Sequence, residues 1–260
     1  GLHPKWDAIN AMPKADLPVD RDEIRFEEVD GKTYIRFPLD KGEKIFGLGL
    51  NFKREQRGRI LELHVDHYGG KDNGRTHAPV PFFVSSKGYG AFINSARYIK
   101  AYVGTGVRKD TKNPPEVQDR NTDPGWSAQP YSDNLEFLVP AEGVEVVLFA
   151  GQDMQDVVRR FNLFNGGGVL PPKWGLGFWH RVPTLFTDRQ VQDEIAEFRK
   201  RGFPLTVIGL EPGWMSRAIL VPMNGMHPFP EPGKFVNDLL QKHIRTNLWF
   251  NPGVSPECEI

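Results

Sequence analysis

The sequence lacks any long apolar run. No stretch approaches the roughly 20 consecutive apolar residues a membrane helix needs, so no membrane-spanning segment is expected. Net charge is missing too: 33 Lys and Arg balance 33 Asp and Glu in 260 residues. That removes the electrostatic case for nucleic acid or an anionic membrane as partner. A single cysteine, Cys258, excludes an internal disulfide. No G-x-G-x-x-G fingerprint follows the first strand of the α/β part, and no Walker loop or nucleophile elbow occurs, which weakens nucleotide and serine-hydrolase readings. The first ten residues, "GLHPKWDAIN", lack the basic-then-apolar pattern of a signal peptide, so any such signal is expected to have been removed. A secreted or periplasmic location is favoured over a cytoplasmic one.

What is present is 39% hydrophobic and 25% charged residues, an ordinary globular balance, with 12% aromatics. Aromatic excess usually builds core, but it also suits the flat, hydroxylated faces of sugars. The length allows one large or two medium domains.

Two grammars divide the chain. From about residue 22 to 150, short strand-like runs recur every 10 to 15 residues: "KTYIRFPL", "KIFGLGL", "PVPFFVSS", "GYGAFINSA", "RYIKAYVG", "NLEFLVP" and "VEVVLFAG". With no helical periods between them, they predict an antiparallel β-sandwich. Polar loops interrupt it at about 51–59, at about 64–78, and along "VRKDTKNPPEVQDRNTDPGWSAQPYSD". After about residue 151 the period changes. "DMQDVVRRFNLF" places Met154, Val157, Val158 and Phe161 on one helical face before "NGGG". "KWGLGFW" reads as a buried strand. "TDRQVQDEIAEFRKRG" reads as a helix with Thr187 and Gln190 at capping-box spacing and Gly202 at its stop. "LTVIGL" is a second strand, "KFVNDLLQKH" a helix aligning Phe235, Leu239 and His243, and "TNLWFNP" a third strand. This βαβαβ run predicts a parallel sheet covered on both faces. The domains expected are a β-sandwich with its linker helix over 1–165 and an α/β unit over 166–260.

Each apolar strand of the α/β unit stops on polar and aromatic residues: Trp179-His180-Arg181, Glu211, and Trp249-Phe250-Asn251. In a barrel, polar residues at strand C-termini build the active site. Glu211 is thus expected at a barrel mouth, although a strand-end acid can equally pair with a neighbouring arginine. His180 alone would more often be structural. Trp174 reads as core, whereas Trp214, after a Pro-Gly turn, reads as a ligand-facing ring. His64, Asp66 and His67 in "HVDHYGG" invite a metal reading, but the further ligands of a defined site are missing, so no metal is expected.

In order and spacing, "IFGLGLNF", "PVPFFVSSKGYGAFINS", "LPPKWGLGFWHRV", "FPLTVIGLEPGW", "PFPEPGKFVNDLLQKH" and "NLWFNPGVSP" resemble glycoside hydrolase family 31, the retaining α-glycosidases. The resemblance covers about 40 to 260. It implies a multidomain β and α/β fold, an antiparallel β-sandwich followed by the first three βα units of a (β/α)8 TIM barrel. It also implies exo-acting hydrolysis of terminal α-linked hexoses with no cofactor and carbohydrate as the partner. By position, Glu211 matches an acid that holds sugar hydroxyls, usually Asp in the family. Asn251 matches a third-strand position that is often Asp, and Asp66 a sandwich loop that reaches over the barrel mouth. Trp179, His180, Trp214 and Trp249 complete the implied substrate-binding set. "DNGRTHAPVPFFVS" and "RNTDPGWSAQPYSD" resemble the α-galactosidase branch more than the α-glucosidase branch.

The family's nucleophile lies at its fourth strand end and its acid/base later, so both catalytic carboxyls are expected beyond Ile260. Eight βα units would need on the order of 250 to 300 residues, against roughly 90 here. The segment is therefore expected to be inactive alone and to belong to a longer enzyme. The Arg217-Ala218-Ile219 join is short for the family's second loop. A non-catalytic carbohydrate-binding protein on the same fold is the alternative, and a cofactor-free sugar epimerase a weaker one.

Overall fold

A computed structural model of the chain describes residues 3–65, 73–105, 119–124, 126, 131–215 and 228–249. The chain divides into two compact units, Gly1–Gly168 and Val169–Ile260.

Among the described residues, the first unit holds a short helix α1 (Trp6–Asn10) and nine strands: β1 (Arg25–Val29), β2 (Lys32–Pro38), β3 (Ile45–Gly47), β4 (Arg59–Leu63), β5 (Phe82–Ser85), β6 (Tyr89–Asn94), β7 (Ile99–Thr105), β8 (Tyr131–Val139) and β9 (Glu145–Ala150). They form two antiparallel sheets, a five-stranded one in the order β1-β2-β8-β7-β4 and a four-stranded one in the order β3-β5-β6-β9. One hydrophobic core is shared between them, with Ile35, Phe37, Ala101, Leu135 and Phe137 from the first and Ile45, Phe83, Tyr89 and Ile93 from the second. The strand period of two sends these residues to one face. Phe37, Phe83 and Phe137 meet with centroids 5.1 to 6.2 Å apart. Arg36 and Glu136 are register partners on β2 and β8, and Arg36 Nε donates to Glu136 Oε1 at 2.7 Å with both side chains nearly buried.

Helix α2 (Met154–Phe164) covers the other face of the four-stranded sheet. Asp153 caps it by accepting from the Asp156 amide at 2.8 Å. Val157 is buried, and the Phe161 ring lies flat on Phe82 with centroids 3.8 Å apart. Met154 and Val158, placed by the helical period on the same face, are exposed. The helix lies on its sheet along a narrower stripe than the sequence implied.

The second unit runs β10 (Phe178–Arg181), α3 (Asp188–Lys200), β11 (Leu205–Leu210), α4 (Pro232–Gln241) and β12 (Arg245–Leu248), and the three strands form a parallel sheet in that order. Helix α3 starts where the sequence placed it. The Gln190 amide donates to Thr187 Oγ1 and the Thr187 amide to Gln190 Oε1, a complete capping box, and Gly202 takes a positive φ of 73° past the end. Val191 and Ile195 of α3 and Phe235 and Leu239 of α4 pack on Val182, Ile208 and Leu210, which sets one face of the sheet against the helices.

Two expectations are corrected here. The strand read over "KWGLGFW" is a 3-10 turn at Lys173–Leu176, with β10 starting only at Phe178, and Trp174 is exposed, not core. His243 lies past the end of α4 with φ of 58°, so it is not aligned on the helix face with Phe235 and Leu239.

Candidate active site at the strand ends

Parity along each strand decides what can reach ligand. In a parallel sheet, register partners point the same way. His180, Ile208 and Thr246 are partners, and Ile208 sits in the core beneath the helices. His180 accordingly turns toward α3. Its Nε2 lies 2.7 Å from Glu194 Oε1, and its ring lies 4.6 Å from that of Phe198. The alternate row, Arg181, Gly209 and Asn247, belongs to the opposite face, with Glu211 and Trp249 immediately beyond the ends of β11 and β12.

These residues line a cleft of about 330 Å³ formed by Arg181, Gly209, Leu210, Glu211, Asn247 and Trp249. Arg181 is its organising cation. Its Nε donates to Glu211 Oε1 at 2.6 Å, and its Nη2 donates to the same oxygen. Its guanidinium also lies 5.0 Å from the centroid of the Trp249 ring. The Trp249 amide extends the sheet by donating to the Leu210 carbonyl at 2.9 Å, which fixes that ring's backbone beside Glu211. Glu211 is thus the cleft's carboxylate among the described residues, clamped on one oxygen, with its side chain mostly buried.

The "PGW" turn after Glu211 has a steric reason. Pro212–Trp214 forms a 3-10 turn, and a Cβ at Gly213 would lie 1.8 Å from the Thr184 carbonyl oxygen. Only a residue without Cβ lets the turn close against the loop after β10. Trp214 packs against the core beneath the sheet, and its indole N–H donates to the Trp249 carbonyl at 2.9 Å. Its ring does not line the cleft, where the sequence reading had placed it facing ligand. Trp179 shares Arg181's parity and is half-exposed, its indole N–H donating to the Gly175 carbonyl at 3.1 Å.

Of the sequence-nominated set, Glu211 and Trp249 therefore meet in the cleft. Trp179 lies on the same face lower down, His180 and Trp214 lie toward the helices, and Asn251 and Asp66 fall outside the described residues, as does the Arg217-Ala218-Ile219 join. Arg181 and Asn247 were not nominated. Counting by two back from Glu211 to Gly209 and across the register to Arg181 is the signal that finds the first. In the first unit, the His64 ring lies against that of Tyr98 with centroids 4.6 Å apart and planes tilted by 35°, while His67 is outside the described residues. Among the described residues no group of three or more His, Cys, Asp or Glu could hold a metal ion, and no helix is long and apolar enough to cross a membrane.

Residues 168–259 match the model of the glycosyl hydrolases family 31 TIM-barrel domain. This match and the relatives below support glycoside hydrolase family 31 as the family the chain resembles. An α-xylosidase of Emericella nidulans is 24% identical over 242 residues, which cover 90% of this chain and 28% of the relative. Alpha-glucosidase 2 of Bacillus thermoamyloliquefaciens is 30% identical over 126 residues, 48% of this chain and 16% of that protein. The chain thus spans less than a third of the length of these curated relatives. Among solved structures, a family 31 dextranase of Flavobacterium johnsoniae with isomaltotriose bound aligns with a TM-score of 0.66 at 24% identity, covering 86% of this chain and 25% of that one. This last likeness concerns the fold, which is β-rich with a TIM-barrel-type part.

Proposed function

We propose that the protein is an exo-acting, retaining α-glycosidase whose cleft at the ends of β10, β11 and β12 holds the terminal sugar of its substrate. In this reading the two antiparallel sheets are the family's β-sandwich, and the parallel sheet is the first three βα units of a (β/α)8 barrel. The domain borders are those drawn from the sequence, 1–165 and 166–260. The observation that carries the proposal is the Glu211 carboxylate, held by Arg181 beside the Trp249 ring at a parallel strand's C-terminal end. A carboxylate there accepts strong, charge-assisted hydrogen bonds from sugar hydroxyls, and an aromatic ring beside it covers an apolar sugar face.

Retaining hydrolysis proceeds by attack of one carboxylate on the anomeric carbon while a second carboxyl group, about 5 to 5.5 Å away, protonates the leaving oxygen; water then releases the sugar. Glu211, fixed by Arg181, fits neither role and serves binding and orientation. Other residues of the protein supply the two catalytic carboxyls. Asn251 and Asp66 remain proposed sugar contacts by their positions in the sequence.

For substrate class we propose α-glucosides or α-xylosides, following the named relatives, ahead of α-galactosides. Glu211 is one methylene longer than the Asp usual in the family. In the structure that methylene carries the carboxylate into Arg181's reach, so it need not signal a different sugar. The test compares the full-length protein on p-nitrophenyl α-glucoside, α-xyloside and α-galactoside, with Glu211→Ala alongside. Removing a charged hydrogen bond to the sugar should lower kcat/KM roughly 10- to 150-fold. Tm should barely move, because the Arg181 partner is 62% exposed and a solvent-screened pair contributes at most about 1 kcal/mol. Turnover of the galactoside alone would reject the substrate class, and sugar binding without turnover of any substrate would favour the non-catalytic carbohydrate-binding alternative.

A further inference from the structure

Three features around Glu211 fit one another. Both Arg181 donors, Nε and Nη2, converge on Oε1. Oε2 takes no hydrogen bond from the described residues and is left to accept one. A Cβ at Gly209 would lie 2.9 Å from Arg181 Cγ, so the arginine stem crosses β11 where that strand has no side chain. The Trp249 ring then backs the guanidinium from the β12 side. The arginine side chain is 62% exposed and the glutamate 17%, so the cation is the outer member of the pair, holding the acid from the solvent side.

From this geometry we infer that Arg181 is the positioning residue for Glu211. It fixes the acid's rotamer so that Oε2 alone is presented to a sugar hydroxyl, and Gly209 is the gap that makes the clamp possible. The inference rests on the reading of Glu211 as a sugar-holding residue. A free glutamate has three rotatable side-chain bonds, and ordering them on binding weakens affinity. The planar arginine fork removes that cost beforehand, and lysine, a single point donor on a flexible stem, cannot replace it. Because sugar and transition state meet Oε2 alike, the benefit is realised in KM.

The experiment uses the full-length protein with Arg181→Ala, Arg181→Lys, Gly209→Ala, Glu211→Ala and the Arg181→Ala/Glu211→Ala double variant. Kinetics are read on whichever p-nitrophenyl α-glycoside the wild type turns over fastest. Arg181→Ala and Gly209→Ala should each raise KM about tenfold while kcat stays within about threefold. A merely structural loss would lower the active fraction, and so kcat, without moving KM. Millimolar guanidinium should restore KM in Arg181→Ala but not in Glu211→Ala, and the double variant should be no worse than Glu211→Ala alone. Additive effects would overturn the inference, since Arg181 would then act independently of Glu211. If Arg181→Ala melts early, Arg181→Lys with an unchanged Tm carries the same KM test. A crystal structure of an Arg181 variant decides the clamp without any turnover: Glu211 should leave its place, and an unmoved Glu211 would refute the proposal. Wild-type protein that turns over no α-glycoside would sink the proposed function, while the crystal result would still decide the role of Arg181.

Discussion

Gly213 shows how one residue's missing side chain sets the geometry of the cleft. The chain must turn away from the sheet immediately after Glu211, and it does so against the Thr184 carbonyl, where a methyl group would sit 1.8 Å from oxygen. The obstacle is backbone, so relief requires moving the loop after β10 or the turn that carries Trp214. Gly213→Ala should therefore destabilise the second unit by on the order of 3 kcal/mol, as overpacking against an unyielding neighbour does. It should also displace Trp214 from its hydrogen bond to the Trp249 carbonyl. Urea denaturation followed by tryptophan emission checks both at once, and an unchanged midpoint would show that the loop yields freely. At this scale the sequence was half legible. Apolar runs that stop at Glu211 and Trp249 pointed to the strand ends, because carboxylates and rings seldom end buried strands without reason. Arg181 and His180 could not be told apart. β10 is only four residues long and its last two are both polar, so no apolar-polar alternation says which of them faces the helices.

Among the elements, those with strong local signals were read closely and those relying on tertiary partners were not. Helix α3 carries its own start signal, apolar stripe and glycine stop, and Asp188–Lys200 forms within them. Strands β1 and β4, "RFEEV" and "RILEL", carry weak signals because β1 is almost wholly exposed and β4 only partly buried, so polar residues interrupt their period. The opposite error befell "KWGLGFW", whose apolar content suggested a strand although Lys173–Leu176 turns as a 3-10 helix with the Arg245 guanidinium 5.3 Å from the Trp174 ring centroid. Much of the long polar stretch before β8 lies outside the described residues. A test of local coding follows for α3. Thr187→Ala removes the side-chain acceptor for the Gln190 amide, and loss of such a cap costs about 1 kcal/mol. Amide hydrogen exchange in the first turn of α3 should accelerate about fivefold, consistent with that cost, while β11 amides hold. Equal acceleration in both would mean that the helix start is coupled to the whole unit.

On the scale of the whole molecule, the strongest electrostatic handle lies within the core of the first unit. The Tyr89 ring is fully buried between the two antiparallel sheets, and its hydroxyl has no partner in hydrogen-bonding geometry. Nearby, Glu43 is buried and accepts from Ser85 Oγ at 2.5 Å and from the Asp40 amide at 2.8 Å. Burial, reinforced by the negative charge of Glu43, pushes the phenol far above the ordinary tyrosine range. In the unfolded chain the same phenol ionises near pH 10. The folded form then keeps a proton that the unfolded form releases, so stability is fully present below about pH 10 and is lost as pH rises above it. Tyr89→Phe removes the ionisable group and an unpartnered hydroxyl while keeping the ring that packs on Phe83. Its Tm at pH 7 should match or slightly exceed the wild type's, and its decline between pH 10 and 11.5 should be visibly shallower. Thermal melts of the two proteins across that range decide it. Parallel declines would assign alkaline unfolding to other groups, and a marked loss of stability at pH 7 would show that the hydroxyl has a partner it needs.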